Sequence, residues 1–182
     1  MGESRDAQGL PAAPRLADMF EINPDLPREL MGLAWMIGRW EGNGHGQTPD
    51  EGEFEYGQTV EFTHNGGDFL YYLSQLYTVD ADGTPVEPLM QETGYWRPQA
   101  NGEVELVLAN PSGWAEVWAG RIEGAKIELV TDAVMRTQTA AVEYTGGQRL
   151  YGNVEGDLLW TMDRATTGTQ LQPWLWARLK RA

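Results

Sequence analysis

Gly38-Arg39-Trp40-Glu41-Gly42-Asn43-Gly44, a G-x-W-x-G-x-G run, opens the first strand and decides the fold. Glycines let backbones approach closely where a sheet bends round on itself, and the Trp among them supplies a large apolar plug for one end. Just upstream, Asn23-Pro24-Asp25-Leu26-Pro27 gives a turn and a capping signal. Leu30, Leu33, Ala34 and Ile37 follow at helical spacing, so a short helix is predicted from Pro27 to Met36, covering one mouth of a barrel. Downstream the period changes to two. Phe54, Tyr56, Gln58, Val60, Phe62 and His64 alternate with Glu53, Glu55, Thr59, Glu61 and Thr63, a half-buried strand with one polar face.

A second strand spans Phe69 to Val79, with Tyr71, Leu73 and Tyr77 on one face and Leu70, Tyr72 and Leu76 on the other. Further strands are predicted around residues 92–97, 104–109, 115–122, 126–131, 137–144, 149–154, 158–165 and 175–180. Turn signals at Asp82-Gly83, Asn101-Gly102, Gly124, Gly146-Gly147 and Glu155-Gly156 separate them. About ten or eleven short antiparallel strands exceed what a small open sheet holds comfortably. Closure removes the exposed edges and leaves room for a ligand cavity. The expected fold is therefore all-β, a roughly ten-stranded up-and-down barrel with a short N-terminal helix. Residues 1–20, rich in Ala, Pro, Gly and charge, read as a flexible leader, and residues 21–182 as one barrel domain.

A formal net charge of −14 opposes phosphate backbones and anionic bilayers, so neither nucleic acid nor membrane is an expected partner. With no Cys, disulfides and thiolate chemistry are excluded. Met1-Gly2-Glu3-Ser4-Arg5-Asp6 lacks the apolar core of a secretory signal, and Asp6 lacks the hydroxyl of a myristoylation motif; the expected location is the cytoplasm. Eight Trp suit an interior that needs large side chains.

Candidate chemistry is sparse. His64 shares the phase of the apolar face of its strand and is expected to point inward as a hydrogen-bonded core residue. His45 sits in a Gly-rich stretch read as a solvated loop. Two His and no Cys cannot make a zinc site, and neither a G-x-S-x-G elbow nor a Walker loop is present. Glu53/Glu55 and Glu103/Glu105 alternate with apolar residues and read as outer, wet positions. Arg178, Lys180 and Arg181 read as an edge-protecting or solubilising cluster. The residues themselves assign neither a catalytic group nor a metal ligand.

Together these motifs resemble the nitrobindin family, haem-binding β-barrels related in shape to fatty-acid-binding proteins and lipocalins. The likeness runs from about Pro24 to Lys180. Gly38, Trp40, Gly42 and Gly44 carry its first motif, followed by Phe54-Glu55-Tyr56-Gly57 and Phe62-Thr63-His64-Asn65-Gly66. Glu92-Thr93-Gly94-Tyr95-Trp96-Arg97-Pro98 is similar to the family's E-S-G-Y-F-R-P, and Ser112-Gly113-Trp114-Ala115-Glu116-Val117 to its S-x-G-x-x-E-V. Leu171-Gln172-Pro173-Trp174-Leu175 falls on its L-Q-P-H-L.

The resemblance implies haem b as cofactor, with nitric oxide binding at ferric iron and isomerisation of peroxynitrite to nitrate. It also implies that the family's proximal iron ligand, the His of L-Q-P-H-L, is Trp174 here. Imidazole offers iron an in-plane lone pair, whereas an indole N–H only donates. By the same alignment Met90, in Pro88-Leu89-Met90-Gln91, stands near the family's distal His, and Leu73 and Leu76 replace two hydroxyls of its T-Q-K-T-W. The expected pocket set is Trp174, Met90, Leu73, Leu76 and His64, and the expected function is binding of a small hydrophobic ligand without standard iron ligation. Ferric haem held through Met90 or His64, and carriage of a fatty acid or other lipophile, are the alternatives.

Overall fold

The computed structural model describes residues 25–49 and 52–182; the leader read at residues 1–20 and the start of the turn at Asn23 lie outside them. Ten strands follow a short helix: β1 Gly38–Thr48, β2 Gly52–Thr63, β3 Leu70–Val79, β4 Pro85–Pro98, β5 Glu103–Asn110, β6 Trp114–Glu123, β7 Lys126–Arg136, β8 Tyr144–Val154, β9 Asp157–Thr166 and β10 Thr169–Arg181. Each is antiparallel to its sequence neighbours, and β1 pairs with β10 to close the barrel. The strand predicted over residues 137–144 is not a separate one. β7 continues to Arg136, the chain turns through residues 137–143, and β8 starts at Tyr144. That stretch has only Val142 as a sizeable apolar side chain before Tyr144, so it has little inner face to bury.

The N-terminal helix, Arg28–Met36, is 3-10 rather than α. Leu30, Leu33 and Met36, three residues apart, are all fully buried, and a three-residue turn stacks them in one row facing the barrel. At the seam, the indole of Trp40 is fully buried and its N–H donates to the Met36 carbonyl at 2.8 Å. Arg181, at the end of β10, lies 4.2 Å above that ring and donates to the carbonyls of Trp35 and Ile37. It pins the helix to the last strand. Only Arg178 and Lys180, paired with Asp157, behave as the outer cluster read from sequence.

Further along β1, Gly44 and Gly46 lie opposite Tyr56 and Phe54 of β2, and a Cβ at either glycine would fall inside the facing ring. The glycines thin one wall so that the aromatic rings can lie against it. Strand polarity then defines two ends. The helix and the loops after β2, β4, β6 and β8 lie at one; the loops after β1, β3, β5, β7 and β9 surround the other. The closed half is filled by Leu30, Leu33, Met36, Trp40, Phe62, Leu70 and Trp96, all fully buried.

Candidate ligand-binding mouth

At the open end Trp174 occupies a β-bulge. Pro173 pairs with Asp163 and Leu175 with Met162, so Trp174 is the extra residue on β10. Its ring is half-buried against the core, and the guanidinium carbon of Arg164 stands 3.9 Å from its centroid. Arg164 follows the buried Leu158, Trp160 and Met162 in the inner phase of β9. Burial holds its pKa below the ordinary guanidinium value. Met90, opposite Leu76 on β3, is half-buried against the same core, and Leu76 is fully buried. Tyr144 and Trp114 add a pair of rings 5.8 Å apart. Trp174, Met90 and Leu76 thus share the mouth end.

Two predicted pocket residues do not. Leu73 is on the outer surface, because Leu70, Tyr72, Ser74 and Leu76 take the inner phase of β3. His64 lies just beyond β2, at the helix end, where its Nδ1 accepts the Gly66 N–H at 3.2 Å. Gln58, which pairs with the mouth residue Leu76, lies six residues before His64, about 20 Å at the usual rise. The period-two phase that pointed it inward fails because the strand stops at Thr63. His45 belongs to β1 rather than a loop; it is exposed, stacks on Trp176 at 6.0 Å and stands 3.9 Å from Glu55. Neither imidazole faces the lumen. No cluster of three His, Asp or Glu that could hold a metal occurs among the described residues.

Between the two ends runs a charged belt that the sequence reading missed. Arg149 on β8 grips Glu92 on β4 with two hydrogen bonds of 2.6 and 2.8 Å, and Tyr72 donates to the same carboxylate at 2.8 Å. Trp118 lies beneath the guanidinium at 4.7 Å, and Glu116 approaches it to 3.9 Å. All three charged side chains are at most 2% exposed. Burial alone would raise Glu92, but attraction to Arg149 and hydrogen bonds from Arg149 and Tyr72 outweigh it and hold its pKa below the usual value. Glu116 goes the other way. Burial pushes it up by more than Arg149 pulls it back, and one of its oxygens has no hydrogen-bond partner. The signal was present in the sequence: Glu92 is in phase with Trp96, Glu116 with Trp118 and Arg149 with Tyr151. Glu53, Glu55, Glu103 and Glu105 do lie on the outer side.

A closed ten-stranded barrel, helix-capped at one end and aromatic at the other, defines a class, and the chain belongs to it: the THAP4-like, heme-binding beta-barrel domain family, whose model matches residues 29–181. Its relatives are named ferric nitrobindin-like protein or peroxynitrite isomerase. It is 64% identical to a ferric nitrobindin-like protein of Cutibacterium acnes, over 90% of this chain and 99% of that one. It is 49% identical to a peroxynitrite isomerase of Nocardioides, over 89% and 98%. The crystal structure of Rv2717c from M. tuberculosis superposes with a TM-score of 0.75 at 38% identity, covering 86% of this chain and 99% of that one. No helix among the described residues is long and apolar enough to cross a membrane.

Proposed function

We propose that this member of the haem-barrel family binds a small hydrophobic ligand at its open mouth, without iron ligation from the last strand. The observation that carries the reading is the indole of Trp174 at the mouth, on the strand where the family resemblance puts the iron-binding imidazole. His45 lies outside the barrel and His64 at its far end. The donor set therefore does not fit haem held through a histidine, and no step of peroxynitrite chemistry is derived for it. The interior also disfavours a fatty acid bound head-first at the barrel floor. The one buried guanidinium in the belt, Arg149, is already bidentate on Glu92 and faces Glu116, so an incoming carboxylate meets acidic neighbours.

One observation favours a second reading. Met90 presents a thioether from the inner phase of β4 at the mouth, a group able to ligate haem iron. Haemin titration of the purified chain, followed at the Soret band, tests both. The first reading expects no stoichiometric band shift in the parent and a gain of haem affinity of at least tenfold in Trp174→His, which restores a nitrogen ligand and space. A parent that binds one haem with a histidine-type spectrum overturns it; a Soret band abolished by Met90→Ala establishes the second.

A further inference from the structure

We infer that the ligand of the mouth is a hydrophobic anion, an apolar ring-bearing body with one carboxylate- or sulfonate-like group, and that Arg164 is the residue that selects it. The inference rests on the reading of the mouth as a ligand site and names the class of molecule that fits it. The chain has 27 acidic and 13 basic residues, and its other interior or seam arginines each hold an acceptor. Arg149 holds Glu92, Arg181 holds two backbone carbonyls, and Arg178 at the seam holds Asp157.

Arg164 differs. Among the described residues no carboxylate lies within ion-pair distance and no acceptor receives its N–H groups; it rests on the Trp174 ring with Tyr144 nearby. Asp163, its neighbour in sequence, points to the other face of β9. A half-buried guanidinium keeps five donors in a rigid fork that matches an oxyanion in two places. Contact with the indole holds the fork in position, and the half-buried Met90 and Trp114 offer apolar and aromatic surface for the rest of the molecule. The negative charge elsewhere on the barrel is screened over about 8–10 Å at physiological salt, so the local cation governs the final contact.

Two dyes with the same ring body separate the contributions: 1-anilinonaphthalene-8-sulfonate carries a sulfonate, and N-phenyl-1-naphthylamine is neutral. The parent chain is expected to bind the sulfonate at least tenfold more tightly, at one dye per chain. Arg164→Gln should abolish that preference and leave the neutral dye within about twofold of the parent, and Arg164→Lys should keep part of it. If both dyes bind the parent equally, or if the preference survives Arg164→Gln, the inference is overturned while the mouth remains a hydrophobic site. If neither dye binds, the reading of the mouth as a ligand site falls, and the inference with it.

Discussion

Trp40 and Trp174 sit at opposite ends of the barrel, each under an arginine, and the resemblance stops there. Trp40 is fully buried in regular register, its N–H is bonded, and Arg181 above it at 4.2 Å is fixed by two carbonyls. Trp174 is half-buried on a bulge, and Arg164 above it at 3.9 Å has no acceptor among the described residues. The same pair of residue types makes a fully bonded plug where the backbone supplies its partners, and a half-buried stack where it does not. On the proposed reading, stability is concentrated at one end and recognition at the other.

The sharpest way to break this comparison is to remove both rings. Trp40→Ala should cost about 3–5 kcal/mol in denaturant unfolding, the usual loss for a large buried aromatic. Trp174→Ala should cost about 1 kcal/mol, from partial burial and one cation–π contact. Equal losses would mean that the mouth is as structural as the plug. The arginines give a smaller contrast of the same kind. Arg181→Met should lose about 2 kcal/mol, because two carbonyls at the end of the helix lose their donor. Arg164→Gln should stay within about 0.5 kcal/mol.

The belt between the ends provides a pH test. The carboxyl of Glu116 is raised above its ordinary 4.5, so the folded chain holds a proton there that the unfolded chain has released. Its contribution is complete below 4.5 and declines as pH rises through the raised value. The slope is at most about 1.4 kcal/mol per pH unit for one proton. Glu116→Gln should flatten stability in this window. Glu92 is shifted down, so its contribution holds above the usual carboxylate range and disappears only in acid, and that limb should survive the substitution. A parent whose stability does not fall above pH 4.5 would show that Glu116 is ionised in the fold.

The legible and illegible parts of this molecule divide along the range of the interactions involved. Alternation within β2 and β3 is local, so the inner Tyr56, Val60, Phe62 and Leu76 could be read directly. The same alternation, once its phase is set by Leu70, puts Leu73 outside, which the family motif could not reveal. His64 looked like a continuation of the β2 pattern because nothing in the residues before it announces that the strand stops at Thr63. Arg149 and Glu92 share the inner phase of their strands, but they are 57 residues apart, and only the barrel brings β4 and β8 face to face across its interior.

The chain alone determined a closed antiparallel barrel, its Gly-Trp-Gly seam, its capped end and the indole at the position near the end of the last strand where the family has an imidazole. Those properties depend on side-chain period and turn chemistry, which neighbouring residues set among themselves. Which charges meet in the middle, which arginine lies over which ring, and which of those arginines lacks a partner were decided only by the tertiary fold. Each depends on closing strands distant in sequence into one ring, and on the two register shifts of β10 against β9.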